Sequence, residues 1–91
     1  MQYTVTGPRG EIRWGYRPVC VLDAWTVTAH ETGGTLTAQV SQSDQFGLAQ
    51  TPLVVVVPVG RAEWRWPLVT LQRDGSVVRG TVGPREQDYG A

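Results

Sequence analysis

Few side chains in this 91-residue chain can do chemistry, and their spacing decides which chemistry. There is one cysteine, Cys20, and one histidine, His30. A nucleophile needs its base within hydrogen-bond reach. The stretch between these two reads as extended strand, which holds them apart, and the reading sets them on opposite faces of it. A structural zinc site needs several clustered Cys and His, which one residue of each does not supply. The eight carboxylates are scattered among eight basic residues. Asp23 set against Glu63 or Asp44 is the pair to try as acid and base, yet nothing in the spacing brings them together, and surface ion pairs are the simpler reading. Gly7-Pro8-Arg9-Gly10 has too few N–H groups to cradle a phosphate. The expectation is a non-enzymatic protein with no cofactor and no metal.

Two stretches carry a different kind of chemistry. Arg9 to Arg17 holds three Arg with Trp14 and Tyr16, and Arg61 to Trp66 reads Arg-Ala-Glu-Trp-Arg-Trp. Arg interleaved with aromatics can grip single-stranded nucleic acid by stacking and phosphate contact. It can also stack guanidinium on indole at a surface. Trp, Tyr and Arg are also the residues most enriched at protein–protein hot spots. The chain has four Trp, more than a core of this size calls for, so one or two are expected at a contact surface. The candidate interface is Arg13, Trp14, Tyr16, Arg17, Trp64 and Trp66.

These residues must be positioned by strands. Fourteen Val and ten Thr, punctuated by Gly, Pro and Asx about every ten residues, describe a small antiparallel β barrel or sandwich of five to seven strands. No window has helical periodicity. Tyr3 to Thr6 reads as a first strand ended by Gly7-Pro8-Arg9-Gly10, and Glu11 to Trp14 as a short second one. Val21 to His30 puts Trp25, Val27 and Ala29 on one face. After a turn at Glu31-Thr32-Gly33-Gly34, the return strand puts Leu36, Ala38 and Val40 on the matching face. Ser41 to Gln45 reads as a loop, with a helical turn capped by Ser43 or Asp44 and with Phe46 and Leu48 anchoring it to the core.

Leu53 to Val57 lacks polar alternation, so it is expected to be a central strand buried on both faces. Trp64 to Gln72 follows, with Trp64, Trp66 and Leu68 on one side and Arg65, Val69 and Leu71 on the other. Pro67 implies an edge or a bulge there. Arg73-Asp74-Gly75-Ser76 is a hairpin turn, and Ser76 to Val82 closes the sheet. Thr4-Val5-Thr6-Gly7-Pro8-Arg9 and Thr81-Val82-Gly83-Pro84-Arg85 echo each other and suggest two strands lying side by side. The whole chain, 1–91, is read as one domain with a mobile C-terminal tail, 83–91.

Eight Arg, no Lys and eight acidic residues give a net charge of zero. Such a chain lacks the field that gathers nucleic acid or anionic membrane, and lacks the self-repulsion that keeps copies apart. A protein partner, self or other, is therefore favoured, nucleic acid less so, and a membrane not at all. One Cys rules out an internal disulfide framework, and the N-terminus shows neither a signal peptide nor a spanning segment.

The segments Phe46 to Pro58, Glu63-Trp64-Arg65-Trp66-Pro67 and Gly83-Pro84-Arg85-Glu86 resemble small β proteins of tailed bacteriophages and prophages of GC-rich bacteria. The resemblance implies a virion subunit (capsid decoration, head–tail or tail component), or else an accessory protein that binds and inhibits a host factor. The location it implies is the virion or the bacterial host cytoplasm. An oligonucleotide-binding small barrel is the third reading.

Overall fold

The computed structural model describes residues 1–41 and 52–86. The described residues form six strands and no helix: β1 (Tyr3–Trp14), β2 (Arg17–His30), β3 (Gly33–Gln39), β4 (Leu53–Val59), β5 (Ala62–Asp74) and β6 (Val77–Val82). Every neighbouring pair is antiparallel, and the strands close into a barrel in the order β1-β2-β3-β6-β5-β4. Two three-stranded meanders, β1–β3 and β4–β6, are thus joined along β3–β6 and β1–β4. The all-β class and the barrel alternative of the sequence reading both hold. The anchors Phe46 and Leu48 and the helical turn at Ser43 or Asp44 lie outside the described residues.

The long strands each serve more than one neighbour. At about 3.3 Å per residue the 14 residues of β2 would span roughly 46 Å if straight, more than the 35 Å longest extent of the molecule. They must bend, and bulges supply the bends. On β2 the register against β3 shifts between Asp23 and Thr26, where Ala24 takes φ 49°. On β5 the register against β6 shifts between Leu68 and Thr70. β5 pairs with β4 over Ala62–Pro67 and then with β6 from Leu68 onward, so Pro67 sits where the strand changes partners.

These bulges decide which side chains enter the core. Ten residues of regular strand would return Cys20 and His30 to one face. The bulge at Ala24 flips the alternation once, so Cys20 is buried and His30 exposed. In the same way Leu71, expected outside with Arg65 and Val69, turns inward and is 6% exposed, while Val69 remains out. The Trp25, Val27, Ala29 and Leu36, Ala38, Val40 sets face inward as expected, every one of them buried.

Gly7-Pro8-Arg9-Gly10 does not end a strand. β1 runs through it, because both glycines make room for Trp25. A Cβ on Gly7 would lie 2.7 Å from the Trp25 ring, and one on Gly10 2.9 Å from Val57 and 3.2 Å from Trp25. The Trp25 indole N–H donates to the Arg9 carbonyl oxygen at 2.6 Å, so this fully buried indole is satisfied. Glu11–Trp14, read as a separate strand, is the second half of β1 and the part that meets β4.

Three of the four hairpins described turn on two residues with Gly first and φ near +60°: Gly15-Tyr16, Gly60-Arg61 and Gly75-Ser76. Gly in that position suits the turn whose twist matches the strands. The last turn lies one residue beyond the Asp74-Gly75 reading, since Asp74 already pairs with Val77. The two Gly-Pro-Arg echoes do not lie together, for β1 pairs with β2 and β4, and β6 with β3 and β5. The first four residues of the expected tail are tied down. Gly83 N–H donates to Pro67 O and Glu86 N–H to Arg65 O, each at 2.8 Å. The rest of the tail, 87–91, lies outside the described residues.

Candidate functional site

The β1–β2 hairpin carries the first Arg–aromatic stretch to its tip. Trp14 pairs with Arg17 on one side and with Leu53 on the other, and Gly15-Tyr16 close the turn. Trp14 is 42% exposed and Tyr16 94%, while Leu53 behind them is 5% exposed. Trp14, Gly15, Tyr16, Arg17 and Pro52 line an open concavity of about 650 Å3. The tip therefore offers two aromatic rings and a guanidinium in one place. The strands fix the backbone on both sides, so little ordering remains for a partner to impose.

Arg13 does not belong to that tip surface. Its guanidinium donates to Glu11 two residues back and, at 3.3 Å, to Oε1 of Glu63 on β5. Arg65 donates to the same Glu63 oxygen at 3.0 Å. Alternating strand residues share a face, so each Glu-x-Arg step makes its own pair, and Glu63 links the two. This four-charge cluster lies on the outer wall. Val56 sits between Glu11 and Arg65 in the sheet and is 2% exposed although its neighbours Val55 and Val57 fill the inner face. The expected two-sided burial of Leu53–Val57 holds on the outside at Val56, flanked there by charged side chains with apolar stems, while Val54 is half-buried.

The charges tune one another. Desolvation is the largest single influence on Arg13 and pulls its guanidinium down. The hydrogen bond and charge of Glu11, joined by Glu63, together hold it above the ordinary arginine value. The hydrogen bond from Arg65 leads in holding the Glu63 carboxyl below its ordinary value, against partial desolvation and with help from the charge of Arg13.

The second Arg–aromatic stretch is divided between core and rim. Trp66 is 0% exposed and inside the barrel, so it is withdrawn from the contact set. Its indole N–H is buried with no hydrogen-bond partner among the described residues. Trp64 is half-buried, edge-on to Tyr3 with centroids 6.1 Å apart and to Trp66 at 6.0 Å. Its open face is covered by the Arg85 guanidinium, 4.3 Å from the ring centroid. A cation over an indole face is attracted by the ring quadrupole, so the chain supplies its own partner for Trp64.

The other candidate chemistry does not assemble among the described residues. Among the described residues no group of three or more His, Cys, Asp or Glu can hold a metal ion. Glu63 is engaged by Arg13 and Arg65, while Asp23 lies opposite Arg9 and Gln39. Asp44 lies outside the described residues. Nor does any helix among them have the length and apolarity to cross a membrane. The outer-wall cluster was missed in the sequence, yet it had a signal. Glu-x-Arg-Trp occurs twice, at Glu11–Trp14 and Glu63–Trp66. No family model, curated protein or solved structure matches the chain.

Proposed function

We propose that this chain is a non-enzymatic protein–protein interaction module, a small virion subunit of the tailed-phage kind, that docks on a neighbouring protein through its β1–β2 tip. The observation that carries the reading is the exposure of Trp14 and Tyr16 on a rigid two-residue turn, with Arg17 beside them. Large aromatics held in water on a fixed hairpin suit a buried anchor in a complex better than a free monomer. The virion role rests on the phage-like texture of the sequence and on its zero net charge. Nucleic acid is the weaker reading, because Arg13 and Arg65, the guanidinia nearest Trp14 and Trp64 in sequence, are already engaged by Glu11 and Glu63.

The test is co-assembly of the purified chain with candidate virion proteins, wild type against Trp14→Ala. Loss of a hot-spot anchor should weaken association by about 2 kcal/mol or more, with the unfolding midpoint little changed. Equal binding by the two proteins would remove the tip from the interface. Salt-sensitive capture of a single-stranded oligonucleotide with quenching of Trp fluorescence would replace the reading by the nucleic-acid one.

A further inference from the structure

The outer face of the barrel holds a feature that the tip does not explain. Thr4, Thr28, Thr35, Thr81 and Thr70 stand directly opposite one another in one unbroken row across β1, β2, β3, β6 and β5. A second row begins Thr6, Thr26, Thr37. The hydroxyls bond along the first row, Thr4 to Thr28 at 3.2 Å and Thr70 to Thr81 at 2.7 Å. Thr–Thr pairs are favourable cross-strand neighbours, and every strand joint on this face but those at the two ends is closed by one.

The row ends at two open edges, and they are unequal. β5 pairs with β6 over Leu68–Asp74, and along that stretch it carries a device that blunts pairing on its opposite edge, the bulge at Leu68/Thr70. β1 meets β4 only over Glu11–Trp14, so Tyr3–Gly10 is paired on the β2 side alone among the described residues. From Tyr3 to Gly7 that edge has no charged side chain and no bulge. Water reaches it: Tyr3 and Val5 point inward yet stay only half-buried, whereas Ala29 and Val27 opposite them are 0% exposed. Pro8 then stops a ladder from growing further along the strand.

We infer that Tyr3–Gly7 of β1 is an interface for a second copy of this chain, pairing antiparallel about a two-fold axis at Val5. In that register Thr4 faces Thr6 of the other copy, which continues both Thr rows from one barrel into the next. Val5 stands opposite itself on the axis, and Tyr3 stands opposite the other copy's Gly7. A two-fold contact of this kind is self-complementary and closed, so it yields a dimer and not a fibre. The inference deepens the subunit reading by naming one partner as the chain itself, but it uses a different surface from the tip.

The experiment is solution mass by light scattering over a dilution series of the full chain, with circular dichroism to confirm the fold of each variant. Wild type should be a dimer that dissociates on dilution. Thr4→Lys/Thr6→Lys places like charges opposite each other and should raise the dissociation constant about tenfold or more. Thr4→Lys/Thr6→Glu adds as many charges but sets opposite signs face to face, and should stay dimeric. A wild-type monomer throughout the series overturns the inference. So does a dimer indifferent to the lysine pair, or equal loss in both double variants. Trp14→Ala should leave the dimer intact. If it alone abolishes self-association, the contact lies at the tip, and the edge is overturned while the tip reading stands.

Discussion

The segments Glu11–Trp14 and Glu63–Trp66 share the pattern Glu-x-Arg-Trp and meet different fates. In both, Glu and Arg face outward and pair, and in both the Trp takes an inward parity. Trp66 falls at the middle of β5, where the barrel has an interior, and is 0% exposed; Trp14 falls at the end of β1, and is 42% exposed. Side-chain alternation decides which way a residue points, but only the distance from the barrel's end decides whether anything is there to receive it. The same contrast separates Trp64, whose outer face Arg85 covers, from Tyr16, which is 94% exposed among the described residues.

Truncating the two Trp should separate these fates most sharply. Trp66→Ala removes a fully enclosed indole and should cost about 3–5 kcal/mol in denaturant unfolding. The cost is expected toward the lower end of that range, because the lost indole N–H is buried with no hydrogen-bond partner among the described residues, and relieving it returns part of about 1–3 kcal/mol. Trp14→Ala should shift the midpoint by well under half as much. Equal losses for the two would mean that Trp14 is also core, and the comparison would fail. A smaller effect tests the self-supplied partner. Arg85→Ala uncovers Trp64 and should cost about 0.5–1 kcal/mol, and it should red-shift Trp emission as water reaches the ring. An unchanged spectrum would mean that Arg85 does not shield Trp64.

Much of the barrel could be read from the chain where one face alternates cleanly. Trp25, Val27 and Ala29 against Leu36, Ala38 and Val40 specify the β2–β3 pair, because a one-residue slip would expose all six. The run Leu53–Val57 is legible as two-sided for the opposite reason, having no polar residue to put outside, and four of its five residues are buried, with Val54 half-buried. What escaped is where alternation breaks. Ala24 in a left-handed conformation is not signalled by its own residue type, and Leu71 turns inward because β5 bends to serve β4 and then β6. Gly7 and Gly10 look like punctuation in isolation and act as space for Trp25, a contact 15 to 18 positions away that local reading does not see. At the candidate site, composition singled out both Arg–Trp stretches, but sorting tip from core required knowing where each strand leaves the barrel.

The smallest expected effect concerns the charged wall that joins the two stretches. Glu63 is held below its ordinary carboxyl value in the folded chain, first by the hydrogen bond from Arg65. A depressed carboxyl adds stability that is fully present above the unfolded-state value of 4.5 and is lost as pH falls through the lower folded value. Because the Glu63 side chain is 48% exposed, solvent screening limits the gain to a few tenths of a kcal/mol, at most about 1. Glu63→Gln should therefore unfold slightly more easily than wild type at neutral pH, and the gap should close as both are titrated below pH 4.5. Added salt should narrow it at neutral pH as well, since exposed pairs are screened. A gap that widens on acidification would reverse the sign and show that the ionised Glu63 carboxylate costs the fold stability that protonation restores, so that the wall would be held by the apolar stems over Val56 and not by its charges.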